Sequence, residues 1–326
     1  MATATPLHVV TGKGGTGKTT VAAALATALA DAGRRVLLCE VEGRQGIAQL
    51  FDVPPLPYEE RKVAVGLGGG EVYALAIDPE AALLEYLQMY YRLGRAGKAL
   101  DRFGIIDFAT TIAPGVRDVL LTGKVYEAAR RRNGNGFAYD AVVMDAPPTG
   151  RIARFLNVND EVAGLARVGP VRRQADSIMA MMRSTSTRVH LVTVLEEMPV
   201  QETLDGIDEL RDTNLPVGHV IVNLVQAALL SDDTRDALAS GSLGSRQVAA
   251  ALESVSLDAG AATQLLEQGQ SHLERQDLQD EQREELAKAE RPVVELPTLP
   301  EAIDPGALFE LAGLLRRDLL QAGEPE

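Results

Sequence analysis

The apolar positions of this chain fall into short β-branched runs separated by longer alanine-rich or amphipathic stretches. Residues 7–11 (Leu-His-Val-Val-Thr), 36–39 (Val-Leu-Leu-Cys), 72–79, 139–145, 189–195, 220–223 and 292–296 each read as a buried strand. Residues 21–32 are alanine-rich and helical in pattern, and Gly33 stands where such a helix closes. Further helices are expected at 80–93, 97–103, 117–132 and 175–182. Strands alternating with helices predict an α/β fold with a mostly parallel, doubly wound sheet. The crossover from 79 to 135 is far longer than one helix needs. From 231 to 290 the chain is polar and helical in composition, broken by a Gly/Ser run at 240–245 that reads as a loop. Residues 270–290 alternate in charge, as a solvated helix does. Within 305–321, Leu308, Leu311, Leu315 and Leu319 recur at helical spacing beside Glu310 and Asp318, which suits a packing helix better than a membrane-surface helix.

Charge and cysteine usage narrow the function. The chain has 326 residues, with 32 Lys and Arg against 46 Asp and Glu, a net charge of −14. A dedicated nucleic-acid binder normally carries a basic footprint, so no nucleic-acid partner is expected. No apolar run approaches the ~20 residues that cross a bilayer. The N-terminus shows no basic segment followed by an apolar one, so a cytoplasmic protein without stable membrane insertion is expected. The single cysteine, Cys39, excludes a disulfide framework and a cysteine-based zinc site within one chain. His8, His190, His219 and His272 are scattered, and none is spaced like a metal-binding pair.

The chemistry concentrates in the loop between the first strand and the first helix. Gly12-Lys13-Gly14-Gly15-Thr16-Gly17-Lys18-Thr19-Thr20 satisfies two fingerprints at once. Gly12, Gly14 and Gly17 fit the dinucleotide pattern G-x-G-x-x-G, with Glu40 near the place of a ribose acid. Residues 12–19 also fit the P-loop, G-x-x-x-x-G-K-[ST]. Lys18-Thr19 decides for the P-loop. A dinucleotide pyrophosphate is served by backbone amides and the helix dipole. A nucleoside triphosphate with Mg²⁺ calls for a lysine on the β- and γ-phosphates and a hydroxyl on the metal. The strand 139–145 ends on Asp145, a Walker B position beside that loop, although an aspartate there could also be a turn or cap residue.

Lys13, directly after the first glycine, is not needed to bind ATP and could be a solvated loop lysine. Yet G-K-G-G-x-G-K-T-T resembles the deviant Walker A loop of the signal-recognition, nitrogenase-reductase and partitioning ATPases. In that class the early lysine reaches across a nucleotide-sandwich dimer. Asp145-Ala-Pro-Pro-Thr-Gly150 and the following Arg154-Phe155-Leu156 resemble switch II of the arsenite-pump (ArsA) and tail-anchored-protein targeting ATPases. The likeness spans about residues 7–320 and is strongest to an actinobacterial branch of paired paralogues, through the switch I stretch of residues 40–51.

This resemblance implies a cytoplasmic, Mg²⁺-dependent ATPase working as a homodimer or as a heterodimer with a paralogue. It implies that the amides of Gly14, Gly15, Thr16, Gly17, Lys18 and Thr19 cradle phosphate, with Thr20 assisting. Lys18 would neutralise the β/γ oxygens, and Thr19 and Asp145 would hold Mg²⁺. Lys13 would act in trans and Glu42 would position the attacking water. Asn223 would read adenine and Pro297 would close the base pocket. One P-loop domain over 1–326 is implied, with a helical subdomain from about 80–135 and 153–188 that faces clients or effectors, an apolar protein being one candidate client.

The departures from the family pattern carry information too. Glu42-Gly43-Arg44 replaces D-P-A, which gives the water-positioning acid a longer arm, and a solvated loop acid is the alternative reading of Glu42. Arg151 replaces a histidine, and the zinc-clamping and arsenite-binding cysteines are missing. An ATP-gated binding module with little turnover and a ParA- or MinD-like positioning ATPase are the competing readings. Ile178, Met179, Met181 and Met182 form an apolar face that is either core or a client surface. Arg130-Arg131-Arg132 reads as a helix C-terminal charge trio or a binding patch.

Overall fold

A computed structural model describes residues 5–91, 114–165, 170–300 and 303–317. The first half runs β1 (Leu7–Gly12), α1 (Lys18–Asp31), β2 (Arg35–Glu40), α2 (Gly46–Leu50), β3 (Arg61–Val65), β4 (Glu71–Ala76), α3 (Pro79–Tyr91) and α4 (Pro114–Arg130). A two-stranded ribbon, β5 (Arg132–Asn133) and β6 (Gly136–Phe137), precedes β7 (Ala141–Asp145), α5 (Thr149–Leu165) and α6 (Pro170–Met182). Then come β8 (Thr187–Thr193), α7 (Glu197–Asp212), β9 (Val217–Val225), α8 (Asp232–Ala239), α9 (Ser245–Ser254) and, after a single 3₁₀ turn, α10 (Ala262–Ala287). β10 (Val293–Pro297) and α11 (Pro305–Leu315) complete the described chain. The expected helix at 97–103 and Leu319 lie outside the described residues.

Eight strands form one sheet in the order β10-β9-β8-β1-β7-β2-β4-β3. All neighbours are parallel except β3, which runs antiparallel to β4 at the edge. The sequence reading missed β3; its signal was Val63-Ala64-Val65 directly before the glycine-rich turn of residues 66–70. The central strands are buried along nearly their whole length because both faces are covered, and most of their positions are apolar. Val36, Leu38 and Val143 meet α1 and α11 on one face, while Leu37, Cys39, Val142 and Met144 meet α4, α5, α6 and α7 on the other. α1 is buried on nearly all sides between the sheet and α11, which is why it is built from alanine. Leu308, Leu311 and Leu315 supply the packing stripe expected of the last helix.

Three side-chain readings are settled by packing. Ile178, Met179, Met181 and Met182 are all buried, so that face of α6 is core and not a client surface. Arg131 is a structural tie: it pairs with Glu60 at 2.7 Å and with Glu127 at 2.8 Å, joining α4 to the segment before β3. The histidines, scattered in sequence, are not scattered in space. His8, His190 and His219 stack across β1, β8 and β9, with ring centroids 5.4 and 5.6 Å apart, and His8 Nδ1 lies 3.1 Å from His190 Nε2. They do not form a metal set among the described residues.

Burial pushes all three imidazoles below their ordinary value, His8 from 6.5 to about 4. An unfolded chain therefore takes up protons below pH 6.5 that the folded ladder refuses. The ladder's contribution is complete above pH 6.5 and declines as pH falls toward 4. From His8 alone the loss is about 2 kcal/mol by pH 5. The urea midpoint should fall over that range, and less so in His8→Val. A flat midpoint between pH 7 and 5 in the parent protein would count against it.

Candidate active site

Strand register builds the site before any side chain is considered. β1 lies between β7 and β8, and Val10 of β1 is level with Asp145, the last residue of β7. Glu40, the last residue of β2, is level with Asp145 on its other side. The carboxyl ends of β1, β7 and β2 thus converge under the N-terminus of α1. Ligands settle outside the carboxyl ends of parallel strands, where the connections diverge.

The loop from Gly12 to α1 is held by its own polar groups. The Lys13 carbonyl accepts from Thr16 Oγ1 at 2.9 Å and from Lys18 Nζ at 3.3 Å. Asn223 Nδ2 donates to the Thr16 carbonyl at 2.9 Å, tying the end of β9 to the loop. Gly17 has φ 86°, and a Cβ there would come within 2.3 Å of Asn223 Nδ2, so this position requires glycine. Gly17 also starts α1 without a side-chain cap, and no acid occupies the first turn. The first amides of the helix therefore remain available to an anion.

Lys18, Thr19, Thr20 and Asp145 line the resulting cleft together with Gly15 and Gly17. Thr19 Oγ1 donates to Asp145 Oδ2 at 2.7 Å. Burial pushes the Asp145 carboxyl up to about 6; the Thr19 hydrogen bond and Lys18 oppose that rise, and Glu40 and Glu42 reinforce it. Burial likewise lowers Lys18, against the pull of Asp145 and Glu42. A buried carboxylate with a hydroxyl beside it and too little positive charge is a donor set of hard oxygens that suits Mg²⁺.

The remaining predicted residues take distinct places. Glu42 lines the cleft, 22% exposed. Pro297 ends β10 beside Val225, next to the strand that carries Asn223, but does not line the cleft. Gly14 is open to solvent, with nothing near its Cα that a Cβ would touch. Lys13 is not among the residues that line the cleft; its ammonium lies 3.8 Å from Glu202 Oε2 on α7, an acid whose charge also acts on Lys18. Arg151 is 3.6 Å from Asp118 on α4.

Sequence reasoning missed three residues of the cleft, Glu40, Arg44 and Gly46. Glu40 is no ribose acid: it is 1% exposed and accepts from the amides of Gln45 at 2.5 Å and Ile47 at 3.3 Å, which fixes the path of residues 41–47. An acid closing an apolar strand was the signal available for it. Arg44 also lines the cleft, with its guanidinium 3.6 Å from Glu42. Its sole sequence signal was the departure from D-P-A.

Comparison with known proteins agrees with this geometry. The family model described as anion-transporting ATPase (ArsA_ATPase) matches residues 6–186. The chain is 52% identical over 309 residues to ATPase BagA of Mycobacterium tuberculosis, covering 94% of this chain and 91% of that protein. It is 28% identical over 256 residues to the arsenical pump-driving ATPase of Escherichia coli, covering 71% of this chain and 41% of that longer protein. An arsenical pump-driving ATPase of Acidiphilium multivorum is 26% identical over 239 residues, covering 67% and 39%. With a P-loop at the carboxyl end of β1, a buried acid at the end of β7 and a family match over more than half its length, this chain belongs to the ArsA family of ATP-hydrolysing proteins.

Proposed function

We propose that this ATPase is a Mg²⁺-dependent, nucleotide-switched dimer of the cytoplasm, whose hydrolysis cycle moves a helical subdomain that faces an apolar protein client. The observation that carries the reading is the division between two lysines of one loop. Lys18 lines the cleft, whereas Lys13, five residues earlier, is not among its lining residues and has its ammonium 3.8 Å from Glu202. A cation on the rim of its own site is placed to serve a facing one. Homodimer and heterodimer with a paralogous subunit both fit this division.

Thr19 and Asp145 would hold Mg²⁺, which when bound supplies positive charge to the β- and γ-phosphate oxygens. The amides of residues 14–19 cradle the phosphates, Thr20 assists, and Lys18 neutralises the β/γ oxygens. Glu42 orients water toward the γ-phosphorus and takes its proton. As the water oxygen bonds to phosphorus, the bond to the β-γ bridging oxygen breaks. ADP leaves with that electron pair, and inorganic phosphate forms. Asn223 spends its amide nitrogen on Thr16, which leaves Oδ1 to accept from the exocyclic amine of adenine; Pro297 flanks the base. Loss of the γ-phosphate would release residues 41–47 and alter the stretch after Asp145, at the root of α5. Residues 80–135 and 153–188 would carry that movement to the client. Among the described residues no helix is long and apolar enough to cross a membrane.

The test is the ATPase rate per subunit as a function of protein concentration. A homodimeric site predicts a specific rate that rises with concentration to a plateau. A flat rate that rises only on adding a paralogous subunit would assign the heterodimer. A rate independent of both would remove the dimer from the proposal.

A further inference from the structure

Arg44 belongs to no role assigned so far, yet three observations aim it at the phosphates. It lines the same cleft as Lys18 and Thr19. Its segment is pressed onto the P-loop: a Cβ at Gly46 would lie 3.1 Å from Thr19 Cγ2. Glu40 then fixes that segment from beneath by accepting the Gln45 and Ile47 amides, while Gln45 is itself clamped through its side-chain amide to the Leu56 backbone, donating at 3.1 Å and accepting at 2.7 Å. Arg44 is therefore presented by a preorganised loop rather than a free one. Its charge is also close enough to Lys18 to contribute to the lowering of that ammonium.

We propose that Arg44 contacts the γ-phosphate of ATP bound in its own chain, so that residues 41–47 distinguish ATP from ADP and supply a second cation to the transferring group. The inference rests on the nucleotide reading of the cleft and goes beyond it. In the structure the guanidinium lies 3.6 Å from Glu42 Oε2 and is 74% exposed. An exposed pair of this kind is weak and readily exchanged. A γ-phosphate presents planar arginine with two oxygens at matching spacing, a stronger partner than one exposed carboxylate. Exchange of Arg44 from Glu42 to phosphate frees Glu42 for water in the same movement, coupling substrate recognition to activation of the nucleophile. ADP offers no γ-phosphate, so with ADP the pair with Glu42 persists.

The experiment titrates the full-length chain with fluorescent ATP and ADP analogues in the presence of Mg²⁺, and measures kcat. It compares the parent with Arg44→Ala, Arg44→Lys and Lys18→Ala. Arg44→Ala should lower ATP affinity ~10-fold and kcat ~100-fold while ADP affinity stays within about twofold. Arg44→Lys should recover part of both, since it keeps the charge and loses the fork. Because the side chain is exposed, the thermal midpoint should not move. An ATP-to-ADP affinity ratio within about twofold of the parent, or equal losses for both nucleotides, overturns the proposal and leaves the nucleotide site standing. A parent protein whose binding is indifferent to Lys18→Ala overturns the nucleotide reading itself.

Discussion

Lys13→Ala should lower kcat by ~1,000-fold or more, with ATP affinity within about threefold of the parent. Within its own chain Lys13 contributes its carbonyl, which holds Thr16 and Lys18, and that carbonyl survives the substitution. The ammonium meets Glu202 at 3.8 Å, with both side chains about a third exposed, a pair that contributes at most ~1 kcal/mol to stability. Folding and binding should therefore be spared. Charge that develops on the phosphoryl oxygens during transfer is what a lysine from a facing subunit would stabilise. Retention of turnover within about tenfold of the parent would show that Lys13 is a loop lysine and no more.

Glu42→Gln should lower kcat by ~100- to 10,000-fold and leave ATP bound. The amide keeps the shape of the carboxylate and can still touch water, but it cannot take the proton. Glu42 stands in the cleft beside Lys18, and its longer arm replaces the family's aspartate without leaving the pocket. Activity within about threefold of the parent would assign Glu42 to the solvated loop and require another base. The two variants also test each other. If Lys13 acts in trans and Glu42 in cis, a mixed dimer of Lys13→Ala and Glu42→Gln contains one intact site. An equal mixture of two inactive proteins should then recover about a quarter of the parent rate, because half the dimers are mixed and half their sites are whole. No recovery from a mixture shown to exchange subunits would place both residues in one chain's site.

Much of this protein was legible along the chain because its signals are local. The P-loop needs glycines, Lys18 and Thr19 within one turn, so a dozen residues specify it. The parallel sheet was legible because strands buried on both faces must be apolar at consecutive positions, and β2 and β7 are. The edge strand β3 escaped because it is half-exposed and its apolar run is only Val63-Ala64-Val65. Family membership followed from residues 12–20, 40–51 and 145–156, and the comparisons bear it out.

Other features depended on pairs of residues distant in sequence, which no local pattern encodes. His8 and His190 are 182 positions apart, yet adjacent parallel strands bring their rings into contact. Asn223 reaches the P-loop across 207 positions, and that reach adds to the left-handed φ of 86° in requiring glycine at Gly17. The pairing of Lys13 with Glu202, 189 positions away, depends on where the fold sets α7. The methionines of α6 showed an apolar face in sequence, and only their burial among the packed helices determined that it was core. Glu40 and Arg44 gained meaning through register: β2 ends level with β7, which brings the residues that follow β2 to the cleft. The sequence by itself determined the chemistry of the loop and the class of the fold, because both rest on neighbours along the chain. Tertiary structure decided which side chains share the cleft, because strand order, not chain order, sets which strand ends meet.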